Sequence, residues 1–188
     1  MKVFYYNKDN INTDLMFPGK YTYESSDLEF IKEHLFEDLD ENFTKEVQKG
    51  DIVLVGKNFG CGSSREQPAI GLKYIGIKAI IAKSFARIFY RSATNQGLLL
   101  IECPEAVEYF KENFNIEVDE INGNLKIGNQ IFQFSPLPKQ MQEIIDSGGL
   151  LKNIKKKKRR IKYIIIVNNL SGLLFIFVSK KHWRKEWK

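Results

Sequence analysis

Residues 51–82 read DIVLVGKNFGCGSSREQPAIGLKYIGIKAIIA, and this stretch decides the fold. Two short apolar runs, 51–55 and 77–82, flank a glycine- and serine-rich loop at 58–64 and a segment at 65–75 that can form a helix. The second run is apolar throughout, which is typical of a parallel strand whose two faces are both covered. The stretch therefore predicts a strand–loop–helix–strand unit.

The same pattern continues on both sides of this unit and predicts an α/β body with a parallel sheet and right-handed crossovers. Further strands are predicted at 2–6 and 98–101, helices at 41–48, 84–96, 104–113, 139–147 and after a capping-box pattern at 26–29, and a hairpin turn at Asn122-Gly123. In the helix at 84–96, we expect Phe85, Ile88 and Phe89 to share one face.

Composition excludes several classes of protein. Of 188 residues, 43% are hydrophobic and 28% are charged, which is typical of a folded chain and not of a disordered one. Two cysteines, Cys61 and Cys103, are too few for a disulfide scaffold or for a self-contained four-cysteine cluster or zinc site. Two distant histidines offer little for a metal centre. The N-terminal residues lack the apolar core of a signal peptide, so we expect a cytoplasmic location.

Charge is distributed unevenly along the chain. Residues 152–188 hold 13 Lys and Arg and one acid, whereas residues 1–151 hold 22 acids and 16 bases. We therefore predict one domain at 1–154, for which no nucleic-acid partner is expected, and a basic and apolar extension at 155–188 that is disordered or loosely packed. Contact of this extension with a membrane surface or with RNA remains open, as does an extension without a selected role.

The loop after residue 55 carries the strongest chemical signal. Glycines at 56, 60 and 62 permit unusual backbone angles, and Ser63, Ser64 and Arg65 follow where a helix is expected to begin. A guanidinium group beside a helix start favours an anion, so the loop predicts an anion-binding site with a placed serine. The simpler alternative is a tight turn with a serine cap. The glycine spacing fits neither a dinucleotide fingerprint nor a P-loop, and no nucleophile elbow is present.

Several segments together resemble a known family. They are GKNFGCGSSRE at 56–66, GIKAIIAKSFARIFYR at 76–91, QGLLLIECPEA at 96–106, NINTD at 10–14 and PGKY at 18–21. Over about 3–154 the chain is similar to the swivel domain of the aconitase superfamily, and more closely to the separate small subunits of the isopropylmalate dehydratase and homoaconitase family. The resemblance implies a three-layer β/β/α domain with a mainly parallel central sheet.

The resemblance also implies a two-part hydro-lyase. A large subunit would carry a [4Fe–4S] cluster, this chain would carry no cofactor, and the substrate would be a small hydroxy dicarboxylate. The expected reaction is the dehydration and rehydration that converts 2-isopropylmalate to 3-isopropylmalate in leucine biosynthesis. A homoaconitase or methylmalate-type dehydratase is the alternative within the family. A non-catalytic anion- or RNA-binding module is the alternative outside it.

The same resemblance assigns site residues. Ser63 matches the family's proton-abstracting serine, Ser64 and Arg65 match residues that bind a substrate carboxylate, and 20–25, KYTYES, matches the loop that senses the substrate side chain. Lys20, Thr22 and Tyr23 are the candidates in that loop, and the site is bordered by Asp14, Asn58, Gly60, Cys61, Gly62 and Gln67.

Two features of these residues qualify the assignment. The loop at 20–25 has no arginine for a third carboxylate, which favours an apolar-tailed dicarboxylate, although Lys20 could substitute for one. Gln67 stands where many relatives have histidine, and glutamine can form hydrogen bonds but cannot titrate. Asp14 could equally cap a local turn. For Arg87 and Arg91, we expect a surface or subunit-contact role.

Overall fold

A computed structural model of the chain describes residues 1–159. The strands are β1 (Val3–Tyr6), β2 (Ile52–Val55), β3 (Ala79–Ala82), β4 (Leu99–Glu102), β5 (Ile116–Asp119), β6 (Asn124–Ile127) and β7 (Gln130–Gln133). The helices are α1 (Thr13–Met16), α2 (Leu28–Glu33), α3 (Phe43–Glu46), α4 (Gln67–Ile75), α5 (Arg87–Gln96), α6 (Pro104–Tyr109) and α7 (Lys139–Asp146), with a 3₁₀ turn at Gly19–Tyr21. Residues 150–159 are also helical.

The chain divides into two units between Asn153 and Ile154. Most of the extension predicted at 155–188 lies outside the described residues, so its order stays a prediction. Within the described part of the chain, no helix is both long enough and apolar enough to cross a bilayer.

The central sheet is parallel and has the strand order β1-β2-β3-β4. Because each strand lies beside its predecessor, right-handed crossovers place all the intervening helices on one face. The opposite face is covered by α6 and by an antiparallel sheet in the order β5-β6-β7. This arrangement of helices, parallel sheet and antiparallel sheet confirms the predicted three-layer α/β class.

Alternation along the parallel strands divides the core in two. One set of strand residues packs against the helices: Phe4, Val53, Val55, Ile80, Ala82 and Leu100. The other set packs against α6 and the antiparallel sheet: Ile52, Leu54, Ala79, Ile81, Leu99 and Ile101. Both faces of β2 and β3 are therefore buried, which explains their continuous apolar sequences. Each large aliphatic side chain buried in this way contributes about 1.5–3 kcal/mol.

Two predicted helices begin later than expected. The helix predicted at 65–75 begins at Gln67, and the helix predicted at 84–96 begins at Arg87. In the second case, the backbone N–H of Phe59 donates to Ser84 O at 3.1 Å, and the Phe59 carbonyl accepts from Ala86 N–H at 2.9 Å. This bridge-like pairing holds residues 84–86 in an extended conformation, so the helix begins only after them. Phe85 lies before α5, and Ile88 is 56% exposed whereas Phe89 is buried, so the prediction that these three side chains share one helix face was wrong.

Local hydrogen bonds account for the other differences. Asp27, and not Ser26, caps α2, because its Oδ2 accepts from the backbone N–H groups of Glu29 (3.1 Å) and Phe30 (3.3 Å). The hairpin predicted at Asn122-Gly123 is present, but four residues separate the paired Asp119 and Asn124. Strand β7 was not predicted. The helices predicted at 41–48 and 104–113 are shorter, and that at 139–147 ends one residue earlier.

The glycine after α5 provides a test of this packing. Gly97 has φ +82°, and a Cβ there would lie 2.7 Å from Gly149 N, whereas Gly50 has φ +99° with open space around it. We predict that Gly50→Ala lowers the free energy of unfolding by about 1–2 kcal/mol, the cost of left-handed backbone alone. Gly97→Ala should cost at least about 1 kcal/mol more through overpacking. Urea unfolding of both variants measures the difference, and equal losses would contradict it.

Candidate functional site

The candidate site lies at the carboxyl ends of two neighbouring parallel strands. Tyr6 at the end of β1 pairs with Val55 at the end of β2, so the segments that follow them emerge at the same edge of the sheet. Three backbone hydrogen bonds of 2.8 Å then join these two segments: Asn10 N to Lys57 O, Gly60 N to Ile11 O, and Thr13 N to Cys61 O. The glycine loop is therefore held by the N-terminal segment.

Several loop residues that were predicted to border the site determine the backbone conformation of the glycine loop. Gly60 has φ +79°, and a Cβ there would lie 2.2 Å from Cγ of the buried Phe89, so only glycine fits. Gly62 has φ +99°. Asn58 and Asn10 both have left-handed backbones, and Asn58 Nδ2 donates to Asn10 Oδ1 at 2.8 Å. These residues shape the loop.

Arg65 is the centre of the side-chain arrangement. Its Nε donates to Ser63 Oγ at 2.7 Å, its Nη1 to Thr22 Oγ1 at 2.9 Å, and its Nη2 to Asp14 Oδ1 at 2.5 Å. The Arg65 side chain is only 14% exposed, whereas that of Asp14 is 60% exposed. The planar guanidinium group thus joins the glycine loop, α1 and the loop at 20–25 at a single point.

Thr13 is a second partner of Ser63, and the sequence analysis did not single it out. Thr13 is buried, and its Oγ1 accepts from Ser63 N at 3.0 Å and lies 3.0 Å from Ser63 Oγ. The signal was available, because Thr13 belongs to the quoted NINTD segment, but a buried threonine there is equally typical of core packing. Ser63 itself remains exposed to solvent.

The charge that faces Ser63 Oγ comes from Arg65. The backbone N–H of Ser63 is already bonded to Thr13, and α4 begins only at Gln67, four residues after Ser63. The helix dipole acts mainly within the first turn, so its effect at Ser63 is smaller than a helix start at Arg65 would give. Among the described residues, the guanidinium group is the positive charge in contact with the serine oxygen.

The remaining predicted substrate-binding residues, and Gln67 predicted to border the site, lie in different surroundings. Ser64 is exposed, and its side chain forms no hydrogen bond within residues 1–159. Gln67 Nε2 donates to Thr22 O at 3.4 Å, so it contacts the loop at 20–25. Lys20 is directed to Glu37, with Nζ 3.1 Å from Oε1, and is not part of the Arg65 arrangement. Tyr23 is 98% exposed.

The other side chains of interest lie outside this arrangement. Arg87 and Arg91 are both exposed on α5. Cys61 is half-buried and contributes its backbone carbonyl, which accepts from Thr13 N. Cys103 lies in the core on the antiparallel-sheet side, where burial raises the pKa of its thiol.

The residues present do not form a metal-binding set. In the part of the chain that the structure describes, no three His, Cys, Asp or Glu side chains are placed together to hold an ion. The two cysteines of the sequence are too few for a three-thiolate cluster site. A cluster of that kind would have to be held by another chain.

Comparison with known proteins gives consistent matches. Residues 6–106 match the model of the aconitase C-terminal domain. The 3-isopropylmalate dehydratase small subunit of Caldicellulosiruptor bescii is 47% identical over 155 residues, which cover 81% of this chain and 92% of that protein. The small subunit 1 from Thermotoga maritima is 46% identical over 151 residues, covering 79% and 90%.

A solved structure supports the same relationship. The crystal structure of 3-isopropylmalate dehydratase from Methanocaldococcus jannaschii is similar with a TM-score of 0.79 and 38% sequence identity, and the match covers 86% of this chain and 96% of that one. Sequence identity, coverage and fold indicate the same family. The chain therefore belongs to the family of 3-isopropylmalate dehydratase small subunits, within the aconitase superfamily.

Proposed function

We propose that this chain is the small subunit of a heteromeric 3-isopropylmalate dehydratase, a hydro-lyase of leucine biosynthesis, and that Ser63 is its catalytic base. The enzyme would convert 2-isopropylmalate to 3-isopropylmalate by removing water and adding it back in the opposite sense. One observation carries the proposal: an exposed serine oxygen lies 2.7 Å from a nearly buried guanidinium nitrogen. A cytoplasmic setting stays a prediction from the sequence.

The proposed chemistry requires Ser63 to act as an alkoxide. In the dehydration step, the Ser63 oxygen takes a proton from the carbon beside a carboxylate, the C–H electron pair forms the double bond, and hydroxide leaves. An alkoxide accepts hydrogen bonds only, so both neighbours must then donate to it. Arg65 Nε–H does so directly. Thr13 accepts from Ser63 N–H, which leaves its own hydroxyl proton to donate to the Ser63 oxygen. Two donors, one of them charged, thus stabilise the basic form.

We also propose that Arg65 and Ser64 bind a substrate carboxylate. Arg65 has five N–H groups, of which three are bonded to Ser63, Thr22 and Asp14, so two remain for a ligand. The Ser64 hydroxyl is exposed and has no side-chain partner in the described part of the chain. Asp14 keeps the guanidinium oriented, because an ionic hydrogen bond fixes its plane.

The remaining requirements fall to a large subunit, the partner that the family name implies. We propose that this partner carries the [4Fe–4S] cluster, which would supply a Lewis acid for the leaving hydroxyl group. The present chain would close over the substrate and contribute the base and one carboxylate site. Its exposed Ser63 and Ser64 are consistent with a site completed by a second protein.

The loop at 20–25 supports an apolar-tailed substrate. Within this loop, Thr22 contacts Arg65 through its hydroxyl and Gln67 through its carbonyl, and neither Thr22 nor Gln67 carries a charge. The alternatives within the family, homoaconitase and methylmalate-type dehydratases, differ in the substrate side chain. They are distinguished by kcat/KM for the respective substrates with the reconstituted enzyme.

The first prediction concerns Ser63. In enzyme reconstituted with the large subunit, Ser63→Ala should lower kcat by roughly 10²–10⁴-fold, the usual contribution of a general base. Ser26→Ala is the matched control, because Ser26 is also exposed but lies outside the site. Steady-state turnover of 2-isopropylmalate measures both. Unchanged turnover in Ser63→Ala would exclude the base, and salt-sensitive RNA binding without turnover would favour a binding module.

A second prediction concerns Thr13. Thr13→Val removes a donor to the Ser63 alkoxide at nearly constant volume, so a higher pH is needed to form the base, and the rising, acidic limb of the profile of kcat/KM against pH should move to higher pH. Thr13→Ser keeps the hydroxyl group and should keep the wild-type profile. A pH profile that is identical in all three proteins would show that Thr13 has only a packing role.

A further inference from the structure

The carboxylate of Glu37, which lies just beyond α2, forms hydrogen bonds with three side chains. Its Oε1 accepts from Lys20 Nζ at 3.1 Å and from Tyr21 Oη at 3.2 Å, and its Oε2 lies 2.7 Å from His34 Nδ1. An ionised carboxylate only accepts hydrogen bonds, so Nδ1 of His34 carries the proton. The Glu37 side chain is 34% exposed, so this is a partly desolvated anion with a full set of donors.

Aromatic packing fixes the same group. The ring of Tyr21 stacks on that of His34, with centroids 3.8 Å apart, and contacts Phe30 edge-on at 5.7 Å. Lys20 Nζ lies 4.6 Å from the centroid of the Tyr21 ring. Hydrogen bonds to Tyr21 and Glu37 raise the pKa of Lys20, so its ammonium stays charged. Partial burial raises the pKa of Glu37, but the bonds from His34 and Lys20 outweigh it and lower the pKa overall.

Thr22, which follows Tyr21 in the chain, belongs to the candidate site around Arg65. Thr22 accepts from Arg65 through its hydroxyl (2.9 Å) and from Gln67 through its carbonyl (3.4 Å). The segment 20–22 therefore turns its first two residues toward Glu37 and its third toward the guanidinium group. Lys20 is the only cation in KYTYES, so its placement decides whether the loop presents a positive charge to the site.

We propose that Glu37 is a specificity-determining positioning residue: it holds Lys20 away from the Arg65 site and so excludes substrates with a carboxylate in place of the apolar tail. The inference rests on the function proposed above. A lysine on a flexible four-carbon stem could otherwise pair with a third carboxylate, and an isopropyl group gains nothing from such a charge. The residue acts through Lys20 and need not touch the substrate.

Competitive inhibition provides the test. With the reconstituted enzyme, 2-isopropylmalate is the substrate and 2-(2-carboxyethyl)malate, its tricarboxylate analogue, is the inhibitor. Glu37→Gln removes the charge that holds Lys20 and preserves the side-chain shape. We expect the inhibition constant of the tricarboxylate to fall about tenfold, as one new charge-assisted hydrogen bond would give, with little change in KM for 2-isopropylmalate. In Glu37→Gln/Lys20→Met the inhibition constant should return to the wild-type value.

Glu29→Gln is the matched control. Glu29 also accepts from a lysine and a tyrosine, Lys32 at 3.0 Å and Tyr74 at 2.5 Å, but neither partner belongs to 20–25. This variant should leave both constants unchanged. A parallel rise of both constants in Glu37→Gln would mean a merely structural role and overturn the proposal, as would tighter inhibition that persists in the double variant.

A single variant covers the case in which Glu37→Gln does not fold. Lys20→Met should leave both constants at wild-type values, because Lys20 lies outside the site; a change in either would overturn the proposal. Failure of the proposed function gives a different result, namely no turnover of 2-isopropylmalate by the wild-type reconstituted enzyme.

Discussion

The Arg65 guanidinium group is the interaction on which the site depends. It connects Ser63, Thr22 and Asp14, which lie on three segments that the chain brings together only after folding. The parallel pairing of β1 with β2 makes this possible, because it delivers the segments that follow both strands to one edge of the sheet. The Arg65 side chain is only 14% exposed, and each of its three nitrogens donates a hydrogen bond to one of these residues.

Under the proposed function, the chemistry is divided between two proteins. This chain places a positive charge and a second hydroxyl group against one serine oxygen, and both are able to donate to an anion there. In the described residues it offers no set of metal ligands, and its serines are exposed at the sheet edge. Under the proposed function, a partner that covers this edge would complete the site. The loop at 20–25 contacts Arg65 through Thr22, so the proposed base and the proposed specificity loop share Arg65 as a neighbour.

The sequence was sufficient for the four strands of the parallel sheet, but not for β7, and it singled out the serine and arginine that the structure places in contact. Continuous apolar runs predicted β2 and β3, and the GCGSSRE loop predicted the proximity of Ser63 and Arg65. It could not give the start of α5, because a tertiary bridge between Phe59 and Phe85 holds the preceding residues extended.

The contacts of Thr13, Lys20 and Glu37 could not be predicted from the sequence either. They depend on which of several nearby partners a side chain meets, and spacing along the chain does not determine that. Local patterns thus indicated the candidate site, and long-range contacts determine which side chains surround it.

Chemical rescue of an Arg65→Ala variant measures the central interaction most directly. In the reconstituted enzyme, loss of this charged donor should lower kcat/KM by about 10²–10³-fold, and added guanidinium ion should restore part of it by refilling the space beside Ser63. Ammonium, which lacks the planar pair of donors, should restore less. Wild-type turnover in Arg65→Ala without any added ion would show that the serine does not depend on this guanidinium group.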